Sequence, residues 1–176
     1  MKHNISVLFT QEQLQQRIAR LAQQISQDYQ GKELVVIGVL KGAFVFMADL
    51  VRQIDLPLRC DFLRVSSYNS QGKSGALRLE FDMTQPIENQ EVLLVEDVLD
   101  TGKSLGFLID HLKTKRPKSL NICCLLDKNL KPDISAQIRY LGFHVPQKYL
   151  VGYGLDLDGY YRELPYVGNV EEIENG

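Results

Sequence analysis

Glu96 and Asp97 stand side by side, Asp100 follows after two aliphatic residues, and Thr101-Gly102-Lys103-Ser104 completes the run. Adjacent carboxylates accept hydrogen bonds from hydroxyl groups or lie near a metal ion, and they repel phosphate. The turn behind them has the opposite preference. Thr101 and Ser104 supply hydroxyls, Gly102 lets the chain approach a ligand closely, and successive backbone N–H groups at the start of a helix attract an anion. A ligand that satisfies both halves has hydroxyls at one end and phosphate at the other, as a phosphorylated sugar does.

Such a site needs a strand ahead of it and a helix behind it. Val92-Leu93-Leu94-Val95 is a continuous apolar run of the buried parallel-strand kind, and it turns acidic where open α/β sheets place their ligands, at the carboxyl end of a strand. Leu105, Leu108, Ile109 and Leu112 then recur at helical spacing. The pattern repeats elsewhere. Leu34 to Leu40 reads as a second buried strand, followed by Lys41-Gly42-Ala43 and a largely apolar helix from Phe44 to Ile54; Lys41 and Gly42 form either an anion site or a helix start with an exposed lysine. Leu120 to Leu126 is a third apolar strand, ending at Asp127-Lys128.

Leu58 to Val65 and Ala76 to Phe81 alternate as the arms of a hairpin. The stretch between them, Ser66-Ser67-Tyr68 and then the polar, glycine-bearing Asn69 to Gly75, is either a lid over the site, about residues 66–75, or a solvated hairpin tip. Near the amino terminus, Thr10 and Gln13 have the form of a capping box before a helix striped by Leu14, Ile18, Leu21 and Ile25. Tyr140 to Val145 and Tyr149 to Leu155 read as short terminal strands separated by Pro146. Alternating strands and helices make this an α/β fold with a parallel sheet, the terminal segments forming a small hood. The glycine needed upstream of Gly102-Lys103-Ser104 for a nucleotide-binding P-loop is missing.

The chain has 176 residues, room for one domain over 1–176 with a full core. A net charge of −2 provides no basic footprint for nucleic acid, and no apolar run approaches the roughly twenty residues of a membrane span. Met1-Lys2-His3-Asn4 lacks the apolar core of a secretory signal, so a cytoplasmic location is expected. Cys60, Cys123 and Cys124 are odd in number and have neither disulfide nor zinc spacing, and they are expected to be buried thiols. His3, His111 and His144 are scattered away from the acidic motif and are read as non-catalytic.

The window from Val92 to Leu105 resembles the phosphoribosyl-pyrophosphate signature of the type I phosphoribosyltransferases. Val39-Leu40-Lys41-Gly42, Ser66-Ser67-Tyr68, Leu125-Leu126-Asp127-Lys128 and Tyr149 to Asp156 through Tyr161-Arg162 are similar, in order and spacing, to the bacterial hypoxanthine and hypoxanthine-guanine branch. That resemblance implies a parallel-sheet core with helices on both faces. It also implies transfer of a purine base to phosphoribosyl pyrophosphate with Mg²⁺, in a homodimer or homotetramer.

By the same resemblance, the turn from Asp100 through Thr101, Gly102, Lys103 and Ser104 holds the 5-phosphate. Glu96 and Asp97 face the ribose hydroxyls and the metal, and Asp100, in a low-dielectric cleft, accepts the purine proton. Lys128 donates to the purine O6, and an ammonium with no acceptor to offer refuses a 6-amino base. Tyr149 stacks on the purine, and the Leu150 carbonyl and Asp156 meet its C2 edge, with Asp156 close to a second metal. Lys41, Gly42 and Arg162 bind pyrophosphate, with a cis peptide at Leu40-Lys41, and Ser67 and Tyr68 belong to the hinge of the lid. Two rival readings are a relative that prefers xanthine or guanine, and a non-catalytic regulator that senses phosphoribosyl pyrophosphate. The second would leave Lys128, Tyr149 and Arg162 idle.

Overall fold

The computed structural model describes residues 3–68, 76–128, 130 and 132–171. The expected excursion at Asn69 to Gly75 lies outside the described residues. Strand β1 (Asn4–Phe9) precedes helix α1 (Gln11–Asp28), and the capping box closes as the sequence indicates: Gln13 N–H donates to Thr10 Oγ1 at 3.3 Å and Thr10 N–H to Gln13 Oε1 at 2.9 Å. Strand β2 (Leu34–Leu40), helix α2 (Phe44–Val51), strand β3 (Leu58–Tyr68) and strand β4 (Ala76–Phe81) follow. Then come β5 (Glu91–Leu99), α3 (Lys103–Thr114), β6 (Ser119–Asp127), the short α4 (Pro132–Ser135), β7 (Ile138–His144), β8 (Leu150–Val151) and β9 (Val167–Glu171).

The main sheet has the order β4-β3-β2-β5-β6-β7, parallel throughout except for the antiparallel edge pair β3 and β4. Alternation along the central strands feeds two cores. Leu34, Val36, Leu93, Val95, Cys123 and Leu125 pack with α1 and α2 on one face. Val35, Ile37, Val92, Leu94, Ile122 and Cys124 pack with α3 on the other. Burial on both faces is why these strands are apolar at every position rather than at every second one.

Four expectations need correction. Tyr140 to Val145 does not belong to the hood: β7 extends the main sheet beside β6, where Gly142 lets the strand lie against the Leu125 carbonyl, 2.2 Å from where a Cβ would stand. The hood is instead a separate antiparallel sheet, β1-β9-β8. It uses an amino-terminal strand that was not anticipated, because it is short and its burial is only partial, with no fully buried position. Helix α2 stops at Val51, short of Ile54, and Cys60 is exposed, on a part of β3 that β4, paired only from Arg64 onward, does not flank. No described helix is long and apolar enough to cross a membrane.

Candidate active site

The strand tips of β2, β5 and β6 and the hood loop after β8 converge on one side of the sheet. Near the end of β5 the alternation shifts: Val95 and Val98 both pack on the α1 and α2 side, with Leu99 on the α3 side. Asp97 turns toward the α1 and α2 side and lies against Gly42, where a Cβ would stand 1.7 Å from Asp97 Oδ2. No other residue type fits at 42. Glu96 lies beside Asp97, close enough for the two side chains to share a hydrogen bond. Both acids are buried, and Glu96 Oε2 has no hydrogen-bond partner.

Burial pushes the Glu96 carboxyl well above the usual carboxylate range, and the negative field of Asp97 adds to it. Burial also raises Asp97, but the hydrogen bond from its neighbour, the Val98 N–H 2.9 Å from Oδ1 and the charge of Arg162 pull it back down. Burial therefore disfavours the charged form of Glu96 more than that of Asp97.

The turn is a left-handed entry into α3. Gly102 adopts φ 73° as the residue before the helix, a conformation that suits glycine, and no side chain caps the helix N-terminus. Those free N–H groups face a cavity of about 180 Å³ lined by Glu96, Asp97, Asp100, Thr101, Gly102 and Ser104. Lys103 is exposed and lines no part of it.

A neighbouring cavity of about 320 Å³ gathers Gly42, Asp97, Asp100, Lys128, Tyr149, Leu150, Asp156 and Arg162. Asp97 and Asp100 belong to both cavities, so the two are halves of one cleft. Lys128, from the residue after β6, donates to Asp100 Oδ2 at 2.9 Å. The dry surroundings expected for Asp100 are not met, since its side chain is 48% exposed. Tyr149 is 55% exposed, with its hydroxyl donating to the Asp156 carbonyl at 3.2 Å. Asp156 in turn accepts from Gly159 N–H at 2.8 Å and from Arg162 Nη2 at 2.6 Å. Arg162 Nη1 donates to the Gly154 carbonyl at 2.6 Å.

Four lining residues escaped the sequence reading, with Leu99 and Leu105 in the smaller cavity. Val98 and Leu155 wall the larger cavity, and the signal for each was an aliphatic residue set directly beside an acid at a strand tip or loop. Lys41 is exposed and lines neither cavity, although its peptide bond to Leu40 is cis. Ser67 and Tyr68 end β3, with their backbones opposite Leu77 and Ala76.

Among the described residues, no group of three or more His, Cys, Asp or Glu side chains is arranged to hold a metal ion by itself. The donor set nevertheless fits Mg²⁺, which takes one or two carboxylates and fills its octahedron with water and substrate oxygens. Glu96 Oε2, buried and unpartnered, is the kind of oxygen that a cation would satisfy.

Residues 5–156 match the phosphoribosyl transferase domain family. Among curated proteins, the hypoxanthine-guanine phosphoribosyltransferase of Dictyostelium discoideum is 41% identical over 171 residues, covering 94% of this chain and 95% of that protein. The hypoxanthine phosphoribosyltransferase of Salmonella typhimurium is 39% identical over 173 residues, covering 97% of each. The crystal structure of a hypoxanthine-guanine phosphoribosyltransferase from Bacillus anthracis, with a HEPES molecule in its active site, superposes with a TM-score of 0.89 at 41% identity, over 97% of this chain and 100% of that one.

Proposed function

The chain belongs to the phosphoribosyl transferase family, and from that premise we propose that it is a purine-salvage enzyme that joins hypoxanthine, and guanine as well, to phosphoribosyl pyrophosphate. The products are the nucleoside monophosphate and pyrophosphate. The observation that supports this most directly is the pairing of Lys128 with Asp100 in a cavity with Tyr149 at its rim and Leu150 and Leu155 in its wall. A purine stacked on the exposed Tyr149 ring presents its 6-oxo group to Lys128 and its imidazole edge to Asp100. The ammonium then donates to O6 and the carboxylate accepts the ring proton as the new C–N bond forms at the anomeric carbon.

The 5-phosphate sits in the smaller cavity on the Thr101 to Ser104 turn, and the ribose hydroxyls face Glu96 and Asp97. Lys41, the Gly42 backbone and the Arg162 fork hold the pyrophosphate, with Ser67 and Tyr68 at the β3 end of the same cleft. Positive charge develops on the ribose as the pyrophosphate leaves, and the buried acids of β5 stabilise it. Glu96 and Asp97 would hold one Mg²⁺ with substrate oxygens and Asp156 would lie close to a second; the ions would supply charge neutralisation for the leaving pyrophosphate.

We place the protein in the cytoplasm as one domain over 1–176 that assembles as a homodimer or homotetramer. Phe44, Phe62 and Phe81 are large apolar side chains left exposed, surface that a second copy would cover. Light scattering tests the assembly. The activity is tested by supplying hypoxanthine, guanine, xanthine and adenine with phosphoribosyl pyrophosphate and Mg²⁺ and following nucleotide formation. Turnover of the 6-oxopurines with refusal of adenine is expected, and no product from any purine would overturn the assignment.

A further inference from the structure

Asp49 stands on α2, outside the cleft, yet three elements meet at its carboxylate. Gln15 of α1 donates to Oδ2 at 2.7 Å, the Tyr153 hydroxyl donates to the same oxygen at 2.5 Å, and Arg52 pairs with Oδ1. Tyr153 is 3% exposed and sits at φ 52°, a left-handed conformation that a non-glycine residue adopts only when its surroundings impose it. Burial and the neighbouring Asp49 carboxylate push the Tyr153 hydroxyl far above the ordinary tyrosine range, so it remains a donor at every working pH.

The contacts around this bond close a ring. Gly42 is two residues before α2, and α2 presents Asp49. Asp49 holds Tyr153, and the next residue, Gly154, lies so close to Gly42 that a Cβ there would stand 2.1 Å from the Gly42 carbonyl oxygen. On its other side Gly42 touches Asp97. Gly154 and Arg162 bond in both directions, Gly154 N–H to the Arg162 carbonyl at 3.0 Å and Arg162 Nη1 to the Gly154 carbonyl. The loop that contains Tyr153 and Gly154 also brings Leu150 and Asp156 to the cavity. Lys128 and Asp100 stand outside this ring, at the ends of β6 and β5.

We propose that Asp49 and Tyr153 are positioning residues, whose hydrogen bond fixes the separation between the Lys41-Gly42 segment and the loop from Leu150 to Asp156. The proposal rests on the transferase reading above, in which the first segment takes pyrophosphate and the second takes the purine edge. A hydroxyl satisfied merely because it is buried would give the same bond without the same consequence.

The test compares Tyr153→Phe, Asp49→Asn and Gln15→Met. Losing the hydroxyl displaces both substrate-holding segments and leaves the Asp100 and Lys128 chemistry in place. Tyr153→Phe should therefore raise KM for phosphoribosyl pyrophosphate and for hypoxanthine together, by about tenfold each, with kcat within about twofold. Asp49→Asn keeps a carbonyl acceptor for Tyr153 and should stay near the wild-type KM values. Gln15→Met removes a different partner of Asp49 and should lower thermal stability while leaving both KM values alone. Unchanged KM values in Tyr153→Phe, a rise for one substrate only, or the same rise in Gln15→Met would each overturn the proposal.

Amide hydrogen exchange separates this outcome from failure of the activity itself. Even in a protein that turned over no purine, Tyr153→Phe should speed exchange over residues 41–45 and 152–156 together. Acceleration confined to 152–156 would show that the bond does not join the two segments.

Discussion

Lys128 Nζ and Asp100 Oδ2 lie 2.9 Å apart across the mouth of the larger cavity, the lysine side chain 14% exposed and the aspartate 48% exposed. In the proposed reading, the group that would read the purine oxygen and the group that would take the purine proton hold each other before a base arrives. An incoming 6-oxopurine separates them and offers each a replacement, an acceptor for the ammonium and a donor for the carboxylate. An exocyclic amine offers the ammonium nothing, so the broken ion pair is not made good.

Asp100→Asn retains the shape of the turn and removes the proposed proton acceptor. Loss of a general base lowers kcat by about a hundred- to ten-thousand-fold. Binding of phosphoribosyl pyrophosphate, measured by calorimetry, should change far less, because Thr101, Gly102 and Ser104 remain. Wild-type kcat in the variant would assign the proton elsewhere.

Lys128→Gln replaces three donors with an amide that both donates and accepts. The ratio of kcat/KM for hypoxanthine to that for adenine should fall by about tenfold or more, mostly through loss of hypoxanthine and partly through gain of adenine. A ratio equal to that of the wild type would remove Lys128 from the purine edge.

Arg162→Lys keeps the charge and loses the fork. One ammonium cannot reproduce both the 2.6 Å bond to the Gly154 carbonyl and the 2.6 Å contact with Asp156. The KM for pyrophosphate in the reverse reaction should rise by about tenfold, and the purine KM should rise with it because Asp156 loses its anchor. Steady-state kinetics in both directions would show whether the two shifts occur together.

Glu96 provides a pH signature. Its folded carboxyl is raised by burial and by Asp97, so protonated Glu96 carries no penalty at acid pH, and the folded state loses stability as pH rises above the unfolded-state value toward the raised one. Each pH unit inside that window costs about 1.4 kcal/mol. Glu96→Gln imitates the protonated form throughout. In chelator-treated protein, its thermal midpoint should match the wild type near pH 4 and exceed it by a margin that grows as pH rises through that window, about 2–4 °C for each kcal/mol in a chain of this size. A constant gap across that range would mean that Glu96 does not titrate there.

Much of the cleft is legible in the sequence because it is contiguous. Strand, acids, turn and helix from Val92 to Leu112 follow one another in the chain, and local rules decide each in turn: apolar runs buried on both faces, a glycine in a left-handed turn, aliphatic residues at helical spacing. The capping box of α1 and the hairpin of β3 and β4 are legible for the same reason.

The sequence by itself thus determined the α/β class, the central strands and the glycine turn into α3, since these rest on hydrophobic period and on residue types within a few positions of one another. Tertiary structure alone decided that β7 joins the main sheet and that β1 pairs with β9, register choices settled by packing between segments with weak patterns of their own. It alone decided that Glu96 and Asp97 are both buried against one cavity, and that Lys41 and Lys103 line neither cavity. It also brought Asp49 to Tyr153, 104 residues apart, and Gly42 between Asp97 and Gly154. Those contacts arise where the hood folds back over the strand tips, and a contact between distant segments depends on the burial of everything between them, which no short stretch of sequence contains.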